Sequence, residues 1–128
     1  MARVAIVDDE IQVRRMLRKL FEGMGHSVVV EAGSVDETLQ KLHESDVDLL
    51  ITDIAMPGTD GLSMIRDVRA MFPDTRIIAM TGFSPGCLAV ATQLGADRVI
   101  RKPFGMREMR RLVVEVASTA TGGTERVE

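Results

Sequence analysis

A doubly wound α/β sandwich, with five parallel strands and helices packed on both faces, is the fold this sequence predicts. Three observations predict it. Short apolar runs alternate with helical patterns along the chain, the order that repeated βαβ units impose. The runs are continuously apolar rather than alternating, as in strands covered on both faces. Four of the five runs also end in reactive side chains, and parallel strands bring such ends together along one edge of the sheet.

Arg3 to Val7 (RVAIV) is the first strand and ends at Asp8 and Asp9. Val13, Leu17, Leu20, Phe21 and Met24 then recur on one helical stripe, and Gly25 ends that helix. Ser27 to Glu31 (SVVVE) is the second strand, the one with no pocket residue assigned to its end. Ser34 and Glu37 make a capping-box pattern for a second helix that turns Val35, Leu39 and Leu42 inward. The third strand, Asp48 to Thr52, leads to Asp53. Asp60 caps the third helix, which presents Leu62, Ile65 and Val68 and stops before Pro73. Arg76 to Met80 is the fourth strand and leads to Thr81; Ser84 before Pro85 starts the fourth helix, which Gly95 closes. Arg98 to Arg101 leads to Lys102, and a fifth helix runs from about Met106 to Ala117 with Met109, Leu112, Val113 and Val116 toward the sheet.

A chain of 128 residues suits one domain with a substantial core, assigned to residues 1–118, with the small, polar residues 119–128 as a flexible tail or the start of a linker. Nine methionines and no Trp or Tyr imply that methionine fills core gaps that aromatics fill elsewhere. A net charge of -3 offers no general attraction for nucleic acid or an anionic membrane. Arg14, Arg15, Arg18 and Lys19 read as a solvated face of the first helix or as a docking surface for an acidic partner. No signal peptide and no apolar run of about 20 residues are present, and the single Cys87 allows no internal disulfide, which together point to the cytoplasm.

Asp8, Asp9 and Asp53 on neighbouring strands would crowd three like charges, which a divalent cation and Lys102 can offset. Mg²⁺ fits, because it takes one or two carboxylates together with water and a phosphate oxygen. A carboxylate can also attack phosphorus, and phosphoryl transfer asks chiefly for positioning and for cations around the transferring oxygens. Asp53 is the best nucleophile, since the central strand places it between the acidic pair on one side and Thr81 and Lys102 on the other.

The segments VDDE, TDIAMPGTDG, MTG and RKPF, in this order and spacing, resemble the response-regulator receiver domain of two-component signalling over residues 3–117. The resemblance implies a flavodoxin-like (βα)5 sheet in the order 2-1-3-4-5. It implies Asp53 as phosphoacceptor from a phosphohistidine on a sensor kinase or phosphotransfer protein, with Asp9 as a direct Mg²⁺ ligand, Asp8 as an indirect one, and the carbonyl of Ala55 as another. Thr81 resembles the switch hydroxyl and Lys102 the cation that pairs with the phosphate, ahead of a cis bond to Pro103. The implied partners are that kinase and a protein effector or downstream output domain, with the protein a monomer or a phosphorylation-dependent dimer and no nucleic acid bound by this domain. Ala55 and Phe83 flank the pocket at positions that tune dephosphorylation in the family. Val99 departs from the pattern, because the family commonly carries Tyr or Phe there as the second half of its switch. The fourth helix, fifth strand and fifth helix are then the expected output face, with the Gly82 to Gly86 loop moving. Two other classes stay open: an interaction module that is never phosphorylated, and a Mg²⁺-dependent phosphatase, although the latter usually carries a second Asp where Ala55 stands.

Overall fold

The computed structural model describes residues 1–56, 60–82 and 85–121. Val4 to Val7, Leu49 to Asp53 and Arg76 to Thr81 are buried throughout, and these segments form the inner strands β1 (Arg3–Val7), β3 (Leu49–Asp53) and β4 (Arg76–Thr81). The more exposed β2 (Ser27–Ala32) and β5 (Arg98–Arg101) take the edges. All pairings are parallel and the order is β2-β1-β3-β4-β5, as the resemblance implies. Asp53 and Thr81 close their strands rather than follow them.

Successive strand residues feed opposite faces. Val4, Ile6, Leu49, Ile51, Ile78 and Met80 join one core layer, in which Leu17, Leu20 and Phe21 of α1 (Ile11–Gly23) meet Met109, Val113 and Val116 of α5 (Met106–Thr121). Ala5, Val7, Leu50, Ile77 and Ala79 join the other, with Leu42 of α2 (Val35–Glu44), Met64, Ile65 and Val68 of α3 (Gly61–Met71), and Ala91 of α4 (Pro85–Leu94). Buried Met56, Met64, Met80 and Met109 take the volume that aromatic side chains would fill. Val35, Leu39 and Leu62 are only partly buried, while Thr38 is fully so because its hydroxyl donates back to the Ser34 carbonyl at 2.7 Å. The fifth helix extends to Thr121, beyond its expected end at Ala117. Among the described residues no helix is long and apolar enough to cross a membrane. The cap at Ser34 forms, with Glu37 N–H donating to its hydroxyl, but the Glu37 carboxylate reaches back to the N–H of Gly33. Asp60 caps α3 through Ser63 as expected, whereas Ser84 lies outside the described residues.

Two contacts fix what surrounds the carboxyl edge. A Cβ on Gly61 would stand 2.5 Å from the Ile54 Cα, so the start of α3 presses on the turn just after Asp53 and only glycine fits there. At the opposite end, Arg69 of α3 donates to the carbonyls of Thr75 (2.7 Å), Gly95 (2.9 Å) and Pro73 (3.1 Å) and pairs with Asp97 at 2.8 Å. The same Asp97 oxygen accepts from Ile77 N–H at 2.8 Å. Gly95 turns there with φ +128° directly beneath the Arg69 side chain, a conformation and a closeness that other residues resist. Arg69 therefore ties α3, the start of β4 and the end of α4 together.

Truncating it takes the donor from the Pro73, Thr75 and Gly95 carbonyls and one cation from Asp97, which keeps the Ile77 N–H and Arg76 at 3.6 Å. Arg69→Ala should cost roughly 2 kcal/mol of stability, in the range expected for breaking a partly buried hydrogen-bonded ion pair. Urea unfolding measures it, and a midpoint equal to that of the parent protein would contradict the assignment.

Candidate functional site

Three strand ends meet through one ammonium group. Lys102, one residue past β5, places its Nζ 2.6 Å from Asp8 Oδ2 and 2.9 Å from Asp53 Oδ2, with Glu10 Oε1 at 3.6 Å. Asp8 is fully buried and Asp53 nearly so. Asp8 Oδ1 accepts the N–H of Glu10 at 2.9 Å, and Asp53 Oδ1 accepts the N–H of Ala55 at 2.8 Å. Each carboxylate is thus fixed by a backbone donor on one oxygen and by Lys102 on the other. The Lys102–Pro103 bond is cis, as the resemblance implies. Thr81 is fully buried at the end of β4, beside the strand that carries Asp53, and its carbonyl accepts the N–H of Lys102 at 2.9 Å.

The expected crowding of carboxylates is therefore relieved from within for Asp8 and Asp53, because Lys102 stands between them. Asp9 is exposed and instead groups with Asp8 and Glu10, which can bring one carboxylate oxygen each within 4.8 Å of one another. Such hard oxygen donors, with one residue buried and two open to solvent, suit a hydrated divalent cation. Glu10 was not among the ligands expected from sequence. Its signal lay in plain view, since it follows the acidic pair directly in VDDE. Val99 is half-buried and packs against the α4 side of the core. Gly82 is exposed, while Phe83 and the segment 57–59 lie outside the described residues.

Burial pushes the Asp8 carboxyl above its ordinary 3.8, and the opposing hydrogen bonds from Lys102 and the Glu10 N–H do not cancel it. Burial acts to lower the Lys102 ammonium, but its hydrogen bonds to Asp8 and Asp53 outweigh that and hold it above 10.5. The site is a desolvated anionic pocket in which one cation serves two carboxylates.

Arg14 and Arg18 do not form the solvated face that their spacing suggested. Both turn toward β2, where Arg18 Nε donates to Glu31 at 2.6 Å and Arg14 lies 3.5 Å from the same carboxylate. Arg15 and Lys19 instead flank an apolar groove between α1 and α5, floored by Met16, Leu20 and Met106.

Comparison with known proteins identifies the family and the fold. The family model described as the response regulator receiver domain matches residues 4–114. The chain is 36% identical over 108 residues to the transcriptional regulatory protein ResD of Bacillus subtilis, covering 84% of this chain and 44% of that protein. It is 32% identical over 111 residues to the response regulator receiver protein CpdR of Brucella abortus, covering 85% of this chain and 91% of that one. It thus spans about half the length of the first of these, and nearly the whole of the second. A CheY-like receiver domain protein from Methanospirillum hungatei shares the fold with a TM-score of 0.89 at 24% identity, over 96% of this chain and 98% of its own.

The shared ammonium makes a prediction with a definite sign. Lys102 has a raised folded-state pKa, so its stabilisation is fully present below 10.5 and is lost only as pH rises through the raised value. Asp8 also has a raised value, so its contribution is fully present below 3.8 and is lost as pH rises through the folded value; at neutral pH its buried charge relies on Lys102. Lys102→Met should lower metal-free stability at about pH 7.5 by roughly 2 kcal/mol, and by less at about pH 5, because the buried Asp8 carboxyl takes up a proton more readily than an ordinary one as pH falls. Melting in EDTA at both pH values decides; an equal loss at the two would contradict the shared-cation geometry.

Proposed function

The chain belongs to the response regulator receiver domain family of two-component signalling, and from that premise we propose that it is a switch controlled by phosphorylation of Asp53. The observation that carries the reading is the Asp53 carboxylate itself, buried at the end of the central strand and held by the Ala55 N–H and Lys102. The donor is a phosphohistidine of a sensor kinase or a histidine phosphotransfer protein. An Asp53 oxygen attacks phosphorus as the bond from phosphorus to the imidazole nitrogen breaks, and the imidazole leaves and takes up a proton. Asp8, Asp9 and Asp53, with the carbonyl of Ala55, would hold Mg²⁺, and Glu10 joins the candidates by its closeness to the acidic pair. That ion supplies positive charge to the transferring phosphoryl oxygens. Lys102 needs only to turn from the carboxylates to meet a phosphoryl group on Asp53, and the Thr81 hydroxyl lies on the neighbouring strand to accompany it.

The partner surfaces follow from what flanks the pocket. The α1 and α5 groove, of about 510 Å³ with Arg15, Lys19 and Arg110 around an apolar floor, suits the kinase. The α4, β5 and α5 face suits an effector or an output domain in the same protein. Because Val99 is short and already packed against the core, Thr81 and Gly82 carry the change to α4, whose first turn already includes Gly86, expected from sequence to lie in the loop. Arg69 holds the far end of α4 at Gly95, so the change is largest at the start of that helix.

Incubation with a small acyl phosphate and Mg²⁺ should add one phosphoryl group to the protein and none to Asp53→Asn. Intact-mass measurement reads this directly; equal labelling of the two proteins would overturn the acceptor, and labelling indifferent to EDTA would remove the metal. Amide hydrogen exchange with and without a phosphate mimic should show protection changes from Thr81 into α4 that fade toward Gly95. Changes confined to the segment after Asp53, between Ile54 and Gly61, would point to another output face.

A further inference from the structure

Asp8 carries a third strong contact, on its backbone. Arg14 Nη1 donates to the Asp8 main-chain carbonyl at 2.6 Å from inside the first turns of α1, and its side chain is about four-fifths shielded from solvent. Arg14 Nε faces Glu31 Oε1 at 3.5 Å, and the other oxygen of Glu31 accepts Arg18 Nε at 2.6 Å. Lys41 ties the Glu31 backbone from α2 by donating to its carbonyl at 2.9 Å. Gly33 closes the space on the other side: a Cβ there would stand 3.5 Å from Arg14 Nη1 and 3.9 Å from the Asp8 carbonyl oxygen. The end of β2, which contributes no side chain to the pocket, is thus bound to it twice, by the Asp8 N–H donating to the Ala32 carbonyl at 3.1 Å and by the Arg14 guanidinium holding the Asp8 carbonyl.

We propose that Arg14, anchored by Glu31, is a positioning residue that fixes the Asp8–Asp9–Glu10 turn in the shape that gathers its carboxylates. This rests on the receiver reading of the site. Asp8 cannot rotate its peptide without giving up the Arg14 bond, and the carboxylates of Asp9 and Glu10 project from the same short turn. Holding three like charges near one another opposes their repulsion, and a turn free to open would let them separate. Groups that orient ligands in this way typically alter metal affinity by about 10-fold or more when removed. The guanidinium suits the task because its planar fork meets the carbonyl and the carboxylate at once, which a lysine ammonium cannot do with the same rigidity.

Titration calorimetry of the whole chain with MgCl₂ tests it, alongside initial phosphorylation rates measured across Mg²⁺ concentration. Arg14→Met should weaken Mg²⁺ roughly 10-fold and raise the half-saturating Mg²⁺ concentration equally, while the rate at saturating Mg²⁺ stays near that of the parent protein. Arg14→Lys, which keeps a donor for the carbonyl, should fall between the two. Glu31→Gln, which leaves Arg14 in place with a neutral anchor, should show a smaller shift in the same direction and serves if Arg14→Met does not fold. Mg²⁺ affinity within twofold of the parent protein in a folded Arg14→Met, or in Glu31→Gln where that substitutes for it, overturns the inference. A saturating rate that falls with affinity unchanged also overturns it. Should the parent protein itself bind no Mg²⁺, the receiver reading fails first, and this inference with it.

Discussion

The interaction on which the rest depends is the ammonium of Lys102 between two buried carboxylates. Asp8, Asp53 and Lys102 are separated by 49 to 94 residues where the lysine bonds them, so only the stacked order of β1, β3, β4 and β5 can bring them together. Withdrawing a carboxylate from water costs several kcal/mol, and a hydrogen bond to a charged group returns about 1.5 to 3 kcal/mol. One lysine shared by two such groups offsets the cost without cancelling it, which is why burial still pushes the Asp8 carboxyl upward. A pocket left in that state has room in its charge balance for a further cation, and a phosphoryl group on Asp53 would give Lys102 a more highly charged partner than either carboxylate.

Most of this was legible in the sequence because the functional side chains stand at positions that secondary structure alone defines. Strand ends are easy to find from apolar runs, and Asp8, Asp53, Thr81 and Lys102 each sit at or just past one. The boundaries slipped by a residue at β3, where Asp53 still pairs with Met80 and so closes the strand. The capping pattern at Ser34 was likewise right in kind, while the glutamate chose the N–H of Gly33.

What stayed hidden was set by tertiary packing. Arg14, Arg15, Arg18 and Lys19 look like one basic face because helical periodicity reports angle and says nothing of the neighbour at that angle. In the fold, Arg14 and Arg18 meet Glu31 of β2, and Arg15 and Lys19 border the groove toward α5, so one run serves two purposes. Arg69 was silent for the same reason. Three of its acceptors are backbone carbonyls, which every residue carries and no side-chain pattern marks.

Those two arginines hold opposite edges of the sheet. At the carboxyl edge of the sheet, the backbone donors of Glu10 and Ala55 and the shared Lys102 ammonium fix the carboxylates, and Arg14 holds the Asp8 carbonyl. At the opposite edge, Arg69 and Asp97 fasten the end of α4 to α3 and β4. With its Gly95 end fastened, any displacement of α4 is smallest there and largest at the start of the helix, on the Thr81 side.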